Sequence, residues 1–231
     1  MNKLTTLFLC CVFLGVFSAK AQREKIQYQT KFDNRTFHWG YYLGLNNKTF
    51  KISYTDDDTY INVEPSVGFS VGLIAGWKIH NNITLRLEPG LSSNTKVLTF
   101  TNIVGGDRER VREIGATYLH MPLLLKFSTN RLNNFRPYVL GGFSYDYNFS
   151  SNEDNPDDNS NGEFRMTSSN FGYELGIGCD FYMPYFIFSP SIRGTFAINN
   201  ELVYDDDPAS PWTGSVDYFG SRGVFISLAF H

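Results

Sequence analysis

The chain has 231 residues, with 20 Lys and Arg against 23 Asp and Glu, and a formal net charge of −3. So weak a charge, with the basic residues scattered, excludes a nucleic-acid partner. Phe, Tyr and Gly are abundant, candidate helices are few and the overall hydropathy is mildly polar. An all-β single domain is therefore expected, and helical membrane spans are not.

The N-terminus sets the compartment. Lys3 supplies a positive n-region, residues 4–17 an apolar h-region, and Ala19-Lys20-Ala21 an A-x-A cleavage site before Gln22. This is the pattern of a secretory signal peptide over residues 1–21, too short to span a bilayer as an anchor. Cys10 and Cys11 leave with it, so the processed chain keeps only Cys179 and forms no internal disulfide. Residues 22–36 are polar and unpatterned and are expected as a periplasmic leader, ahead of a barrel domain over residues 37–231.

From there the apolar period is two. A first strand over about residues 37–52 carries Phe37, Trp39, Tyr41, Leu43 and Leu45 on one face. After an acidic loop, 54–62, a second strand alternates Val67, Phe69, Val71, Leu73, Trp77 and Ile79 with Gly68, Ser70, Gly72 and Lys78. His80-Asn81-Asn82 is a tight turn. The third strand sets Ile83, Leu85, Leu87, Pro89 and Leu91 against Thr84, Arg86, Glu88 and Gly90, with a possible extension to Val104. Residues 117–150 hold the clearest hairpin: Leu119, Met121, Leu123, Leu125 and Phe127 share a face, and Val139, Phe143, Tyr145, Tyr147 and Phe149 share the next. The sixth strand alternates Phe171, Tyr173, Leu175, Ile177, Cys179 and Phe181 with Gly172, Glu174, Gly176, Gly178 and Asp180. The seventh opposes Phe188, Ile192 and Phe196 to Ser189, Arg193 and Thr195, and the eighth ends the chain with Val224, Ile226, Leu228 and Phe230.

Short turns alternate with long loops, the asymmetry of an eight-stranded antiparallel transmembrane β-barrel of the outer-membrane type. An even strand number places both termini in the periplasm. Trp39, Trp77, Phe127, Phe181, Phe186 and Phe230 fall on the apolar face at the short-turn end, where they form one interfacial girdle. Tyr145, Tyr147 and Phe149 supply part of the other. The lumen then receives Lys78, Arg86, Glu88, His120, Lys126, Asp146, Glu174, Asp180 and Arg193. Eight strands enclose only side chains, so these charges are expected to pair as a plug, with lumen glycines making room for bulky neighbours.

No catalytic, cofactor-binding or metal-ligating residue stands out, and no enzymatic activity or small-molecule substrate is expected. His80 lies in a turn, His231 is terminal and His38 begins a strand, while His120 has no Ser or Asp partner legible from spacing. The acids Asp56-Asp57-Asp58, Glu153 to Asp158 and Asp205-Asp206-Asp207 map to long loops on one side. They are expected as solvated loop tips, with divalent-cation binding as the sharper possibility and Arg108, Arg110 and Arg112 as ion-pair partners.

The segments FHWGYYLGLN, LRLEPGL, TYLHMPLLLKF, FRPYVLGGFSYDYNFSS and YELGIGCDFY, spread from Phe37 almost to the C-terminus, resemble the PorT family of the type IX secretion and gliding-motility machinery. That resemblance implies an outer-membrane protein needed to export cargo with C-terminal sorting domains, with outer-membrane lipid and other secretion proteins as partners. It carries over no catalytic residues. The alternative reading is a general porin-like or adhesin-like barrel that binds an external ligand through its acidic loops.

Overall fold

The computed structural model describes residues 26–55, 61–101, 106, 110–153, 165–205 and 212–231. Its strands are β1 (Phe37–Tyr54), β2 (Ile61–Pro65), β3 (Val67–His80), β4 (Ile83–Leu87), β5 (Gly90–Phe100), β6 (Val111–Ser128), β7 (Phe135–Asn148), β8 (Ser169–Tyr182), β9 (Ile187–Ala197) and β10 (Val216–Phe230). All pair antiparallel. β1 pairs with β10 on one side, from Tyr41↔Phe230 to Tyr54↔Val216, and with β3 on the other, from Phe37↔Trp77 to Asn47↔Val67, so the sheet closes on itself.

Ser66 alone separates β2 from β3, and both pair with β5; Glu88 and Pro89 separate β4 from β5, and both pair with β6. The ten strands therefore build eight staves. Both breaks depart from the sequence expectation. Residues 54–62 were expected wholly as loop, but Ile61 already opens β2. The third strand was expected to run unbroken, but it divides because Pro89 has no N–H to give the ladder. The wall stays bonded across that division: Glu88 N–H donates to Pro122 O at 3.1 Å and Leu73 N–H donates to Pro89 O at 2.9 Å.

The alternation puts even-numbered residues of β6 inside and odd-numbered ones outside, and the outward set of the central staves is apolar and exposed, Leu123 and Leu175 among them. Aromatic rings stack along the short-turn rim, with centroid separations of 6.0 Å for Phe37–Trp77 and 5.3 Å for Tyr41–Phe230. The turn between β6 and β7 is tight enough to hold Asn133 at φ 58°, a left-handed conformation that Asn tolerates better than most residues. Asn82 helps to fix the neighbouring turn by donating its amide to Ser128 O at 2.8 Å.

β1 and β6 have 18 residues each, whereas about 9–11 tilted residues span a bilayer. The excess lies at the long-loop end, and there the polarity of the two faces reverses. Asn47, Lys51, Asn62, Glu64, Glu113 and Arg222 point outward and are exposed. Phe50, Ile61, Leu98, Phe100 and Phe219 point inward and are buried. Above its apolar belt the barrel is thus built like a soluble one, with an apolar core, because water replaces lipid outside.

Candidate functional site

The lumen of the belt holds a continuous chain of charges contributed by six staves. Arg86 Nη2 lies 2.6 Å from Glu88 Oε1, and Arg193 Nη1 lies 2.9 Å from Glu88 Oε2 and 3.3 Å from Glu174 Oε2. Glu174 Oε1 is 2.9 Å from His120 Nε2, an ion-pair distance off the hydrogen-bonding axis. The other ring nitrogen, Nδ1, is 2.5 Å from Asp146 Oδ1, and Lys48 Nζ closes the chain 3.8 Å from Asp146 Oδ2. With a carboxylate at each nitrogen, the arrangement suits an imidazolium. Aromatic faces cover the rest of its cations: His120 stacks on Phe225 at 5.3 Å, and Lys48 Nζ sits 4.4 Å from the Tyr118 ring centroid.

Glycines make this packing possible. A Cβ on Gly176 would lie 2.6 Å from Arg193 Cγ, and one on Gly72 would lie 2.5 Å from Tyr42 Cε1, so neither large side chain has room beside a larger neighbour. Nearer the short turns, Lys126 Nζ donates to both oxygens of Asp180 at 2.7 Å, and Ser189 Oγ donates to Asp180 Oδ1 at 2.7 Å.

Below that pair the N-terminal segment closes the mouth. Residues 26–36, legible in the sequence only as a polar leader, fold across the short-turn end through a 3-10 helix, Phe32–Asn34. Asp33 collects Arg131 at 2.9 Å, Arg136 at 3.4 Å and the Tyr182 hydroxyl at 3.2 Å, while Lys78 Nζ donates to its carbonyl. Phe32 faces His38 at 5.1 Å and His231 at 6.2 Å between ring centroids.

The opposite mouth has an apolar stopper. Met166 and Leu202, from two different long loops, form a bridge and bury against Phe50, Ile61, Leu98, Phe100, Val216 and Phe219. Beneath it, Glu201 enters from the loop between β9 and β10 and accepts from Ser221 N–H at 2.9 Å and from Ser221 Oγ at 2.7 Å. Burial pushes the Glu201 carboxyl up from the ordinary range, against the pull of the nearby Lys96 ammonium. Lys96 Nζ itself lies 4.0 Å from the Phe50 ring centroid and has no hydrogen-bond partner among the described residues. The two polar cavities flanking the charged chain measure about 30 and 20 Å³; the smaller has room for roughly one water.

Every lumen charge expected from the sequence faces inward, from Lys78 to Arg193. His120, which had no partner legible from spacing, proves to lie between two carboxylates. Lys48, Lys96, Glu201 and Asp33 were missed, the first two because their strands were followed only along the apolar face, the last two because they lie in segments without periodicity. Cys179 is on the outer face, where it lines an apolar groove with Phe127, Val139, Pro190 and Ile192. Of the loop acids, Asp205 pairs with Arg165 at 3.3 Å; Asp56, Asp57, Asp58, the acids from 154 to 158, Asp206, Asp207 and Arg108 lie outside the described residues. Arg112 turns inward and places its guanidinium 5.7 Å from the Trp212 ring. Among the described residues no three His, Cys, Asp or Glu side chains gather as a metal site.

A closed antiparallel barrel with an apolar, aromatic-rimmed exterior and a charged interior defines an outer-membrane barrel protein. A family model for the outer membrane protein beta-barrel domain matches residues 21–203, and the chain belongs to that family. Among solved structures it is similar to the outer membrane protein OprG from Pseudomonas aeruginosa, at 15% identity and a TM-score of 0.50, over 83% of this chain and 94% of that one. It is also similar to Neisserial surface protein A, at 9% identity and a TM-score of 0.43 over 84% and 98% of the two chains. The attachment invasion locus protein Ail of Yersinia pestis gives 12% identity and a TM-score of 0.39 over 83% and 95%. No curated protein sequence matches the chain. At such identities the likeness speaks for the fold alone.

Proposed function

We propose that this outer-membrane barrel conducts nothing, catalyses nothing and works through its surfaces as an accessory of protein secretion. The observation that carries the first part is the blocked lumen, where the chain from Arg86 to Lys48 lies between the Asp33 stopper and the Met166–Leu202 stopper. A solute path would have to break several buried ion pairs at once. The secretion role rests on the resemblance of LRLEPGL, TYLHMPLLLKF and FRPYVLGG to the PorT family, whose members serve the export of cargo with C-terminal sorting domains. In this reading the short-turn end, with both termini and the Asp33 stopper, faces the periplasm, and the partners are other secretion-machinery proteins.

The test is genetic. A deletion strain should retain cargo bearing C-terminal sorting domains inside the cell, and the full-length gene should restore export. Normal surface delivery of that cargo in the deletion strain would overturn the secretion role. The alternative, an envelope barrel that binds an external ligand through its long loops, draws support from the same closed lumen and would survive that result; its porin-like form is opposed by the closed lumen itself.

A further inference from the structure

Among the described residues several staves outrun a neighbour at the long-loop end, as β6 does above Tyr118↔Asn148 and β10 does before Arg222↔Phe196, and between β1 and β2 two such edges face each other. Above Asn47↔Val67, β1 pairs only with β10, and β2 pairs only with β5. A window therefore opens in the wall between residues 48–54 of β1 and Ile61–Pro65 of β2. Asn47↔Val67 closes it below, and the Tyr54 hydroxyl bridges it above by accepting the Ile61 N–H at 2.8 Å. The opening is on the order of 20 Å long, about six residues at 3.3 Å each. A groove of about 410 Å³ runs along it, lined by Phe50, Ile52, Ile61, Val63, Lys51 and Arg222 among others.

Unpaired strand edges are templates for another strand. Here, between the Asn47↔Val67 pair and the Tyr54–Ile61 bridge, residues 48–53 of β1 and 62–65 of β2 face each other with no strand pairing between them. The Tyr54 hydroxyl contacts both the N–H and the carbonyl of Ile61, so the main-chain groups of Ile61 point at the window. Those of Val63, two residues on, point the same way by the alternation of a strand. The slot stands above the apolar belt, where outward neighbours such as Asn47 and Lys51 are polar, so an acyl chain is a poor fit. Its inner side is already filled by Phe50 and Ile61, at 4% and 7% exposure, which leaves a guest room for only small inward side chains. On the outer rim Lys51 and Arg222 are exposed two residues apart in register, Thr49 pairing with Arg222 and Lys51 with Gly220. Glu64 is also exposed, on the far strand, and does not line the groove.

We propose that this window receives, by strand addition, an extended segment of a partner protein in which small residues alternate with acidic ones. The guest's main chain bonds to the edges, its small side chains face Phe50 and Ile61, and its carboxylates face Lys51 and Arg222. Because β1 and β2 run in opposite directions, the guest is antiparallel to one and parallel to the other. The proposal does not depend on the secretion role, since it rests on the strand pairing and the rim charges alone.

The test uses the full processed chain in lipid nanodiscs and a displayed library of random eight-residue peptides. Val63→Pro removes the main-chain donor that faces the window, and Arg222→Glu reverses the rim charge. Peptides alternating small and acidic residues should be enriched on the wild type, bind at least tenfold more weakly to each variant, and weaken as salt is raised. N-methylation of alternate amides in a selected peptide should abolish binding in one of the two registers, which keeps the test open if Val63→Pro does not fold. No enrichment on the wild type, or binding indifferent to N-methylation and to Arg222→Glu, overturns the proposal. So does a wild-type dimer that Val63→Pro dissolves, which would make the occupant a second copy of this chain.

Discussion

Arg193 Nη1 stands 2.9 Å from Glu88 Oε2, although 105 residues separate the two in sequence. The same guanidinium nitrogen reaches Glu174, so one cation from β9 ties β8 to the junction of β4 and β5 across the lumen. Both side chains are buried, and neither charge has water to fall back on. Arg193→Met therefore takes one cation from two buried carboxylates, leaving Glu88 to Arg86 and Glu174 to His120, and Glu174→Ala strands one side of His120 and of Arg193. Each should lower the unfolding free energy by about 3–5 kcal/mol. The check is urea-induced unfolding in lipid bilayers; a variant within error of the wild type would mean that the lumen is wetter and less coupled than its geometry indicates.

Closure of the lumen has an electrical consequence. The purified wild type should show no steady single-channel current in planar bilayers. Replacing Phe32 and Asp33 by Ala removes the short-turn stopper but leaves the ion chain from Arg86 to Lys48 in place, so this variant should remain silent as well. Reproducible unitary steps from the wild type would move the function to the porin-like alternative.

Leu123 and Leu175 face outward from the middle of the apolar belt. Leu123→Arg or Leu175→Arg should cost about 2–4 kcal/mol in bilayers, whereas Leu123→Val, which keeps an apolar side chain, should cost far less. Refolding stability measured side by side decides the matter, since equal values for Arg and Val would take this face out of lipid.

The reversal of polarity at the long-loop end makes a contrary pair of expectations on neighbouring residues of β5. Phe100 is buried in the apolar stopper, so Phe100→Ala should destabilise by roughly 3–5 kcal/mol. Thr99, one residue earlier on the outer face, should tolerate Ala within about 0.5 kcal/mol. A lipid-exposed outer face at that height would instead penalise a charge at Thr99, so Thr99→Asp, tolerated here, provides the control.

Orientation is tested by labelling. In a Cys179→Ser background, a cysteine replacing exposed Glu153 should react on whole cells with a membrane-impermeant thiol reagent, and one replacing exposed Asn81 should not. The reverse pattern would turn the barrel over and place both termini outside the cell.

The period of two was enough to read the belt from the chain alone. An outward residue in lipid must be apolar whatever its neighbours are, so Phe171, Tyr173, Leu175 and Ile177 declare their face without reference to any other strand. The same rule sorted the inward charges. Where the solvent changes, the rule changes with it: Asn47, Thr49 and Lys51 keep the outward phase of Leu43 and Leu45 but with opposite polarity. A reading that equates apolar with outward therefore loses Phe50, Leu98 and Phe100 to the wrong side. Pairing partners were beyond its reach altogether. That Glu174 joins His120 and its hairpin partner Asp146, that Lys96 looks toward Glu201, and that residues 26–36 cap a mouth formed by Arg131, Arg136 and Tyr182 are matters of stave order and register. These are fixed by which strands hydrogen-bond to which, and no local pattern carries that information. The window beside β2 belongs to the same class, because an unpaired edge is a property of two strands and the space between them. What the sequence determined by itself was the sidedness of each residue, through its solvent. What only the tertiary structure decided was its company, through the closure of the sheet.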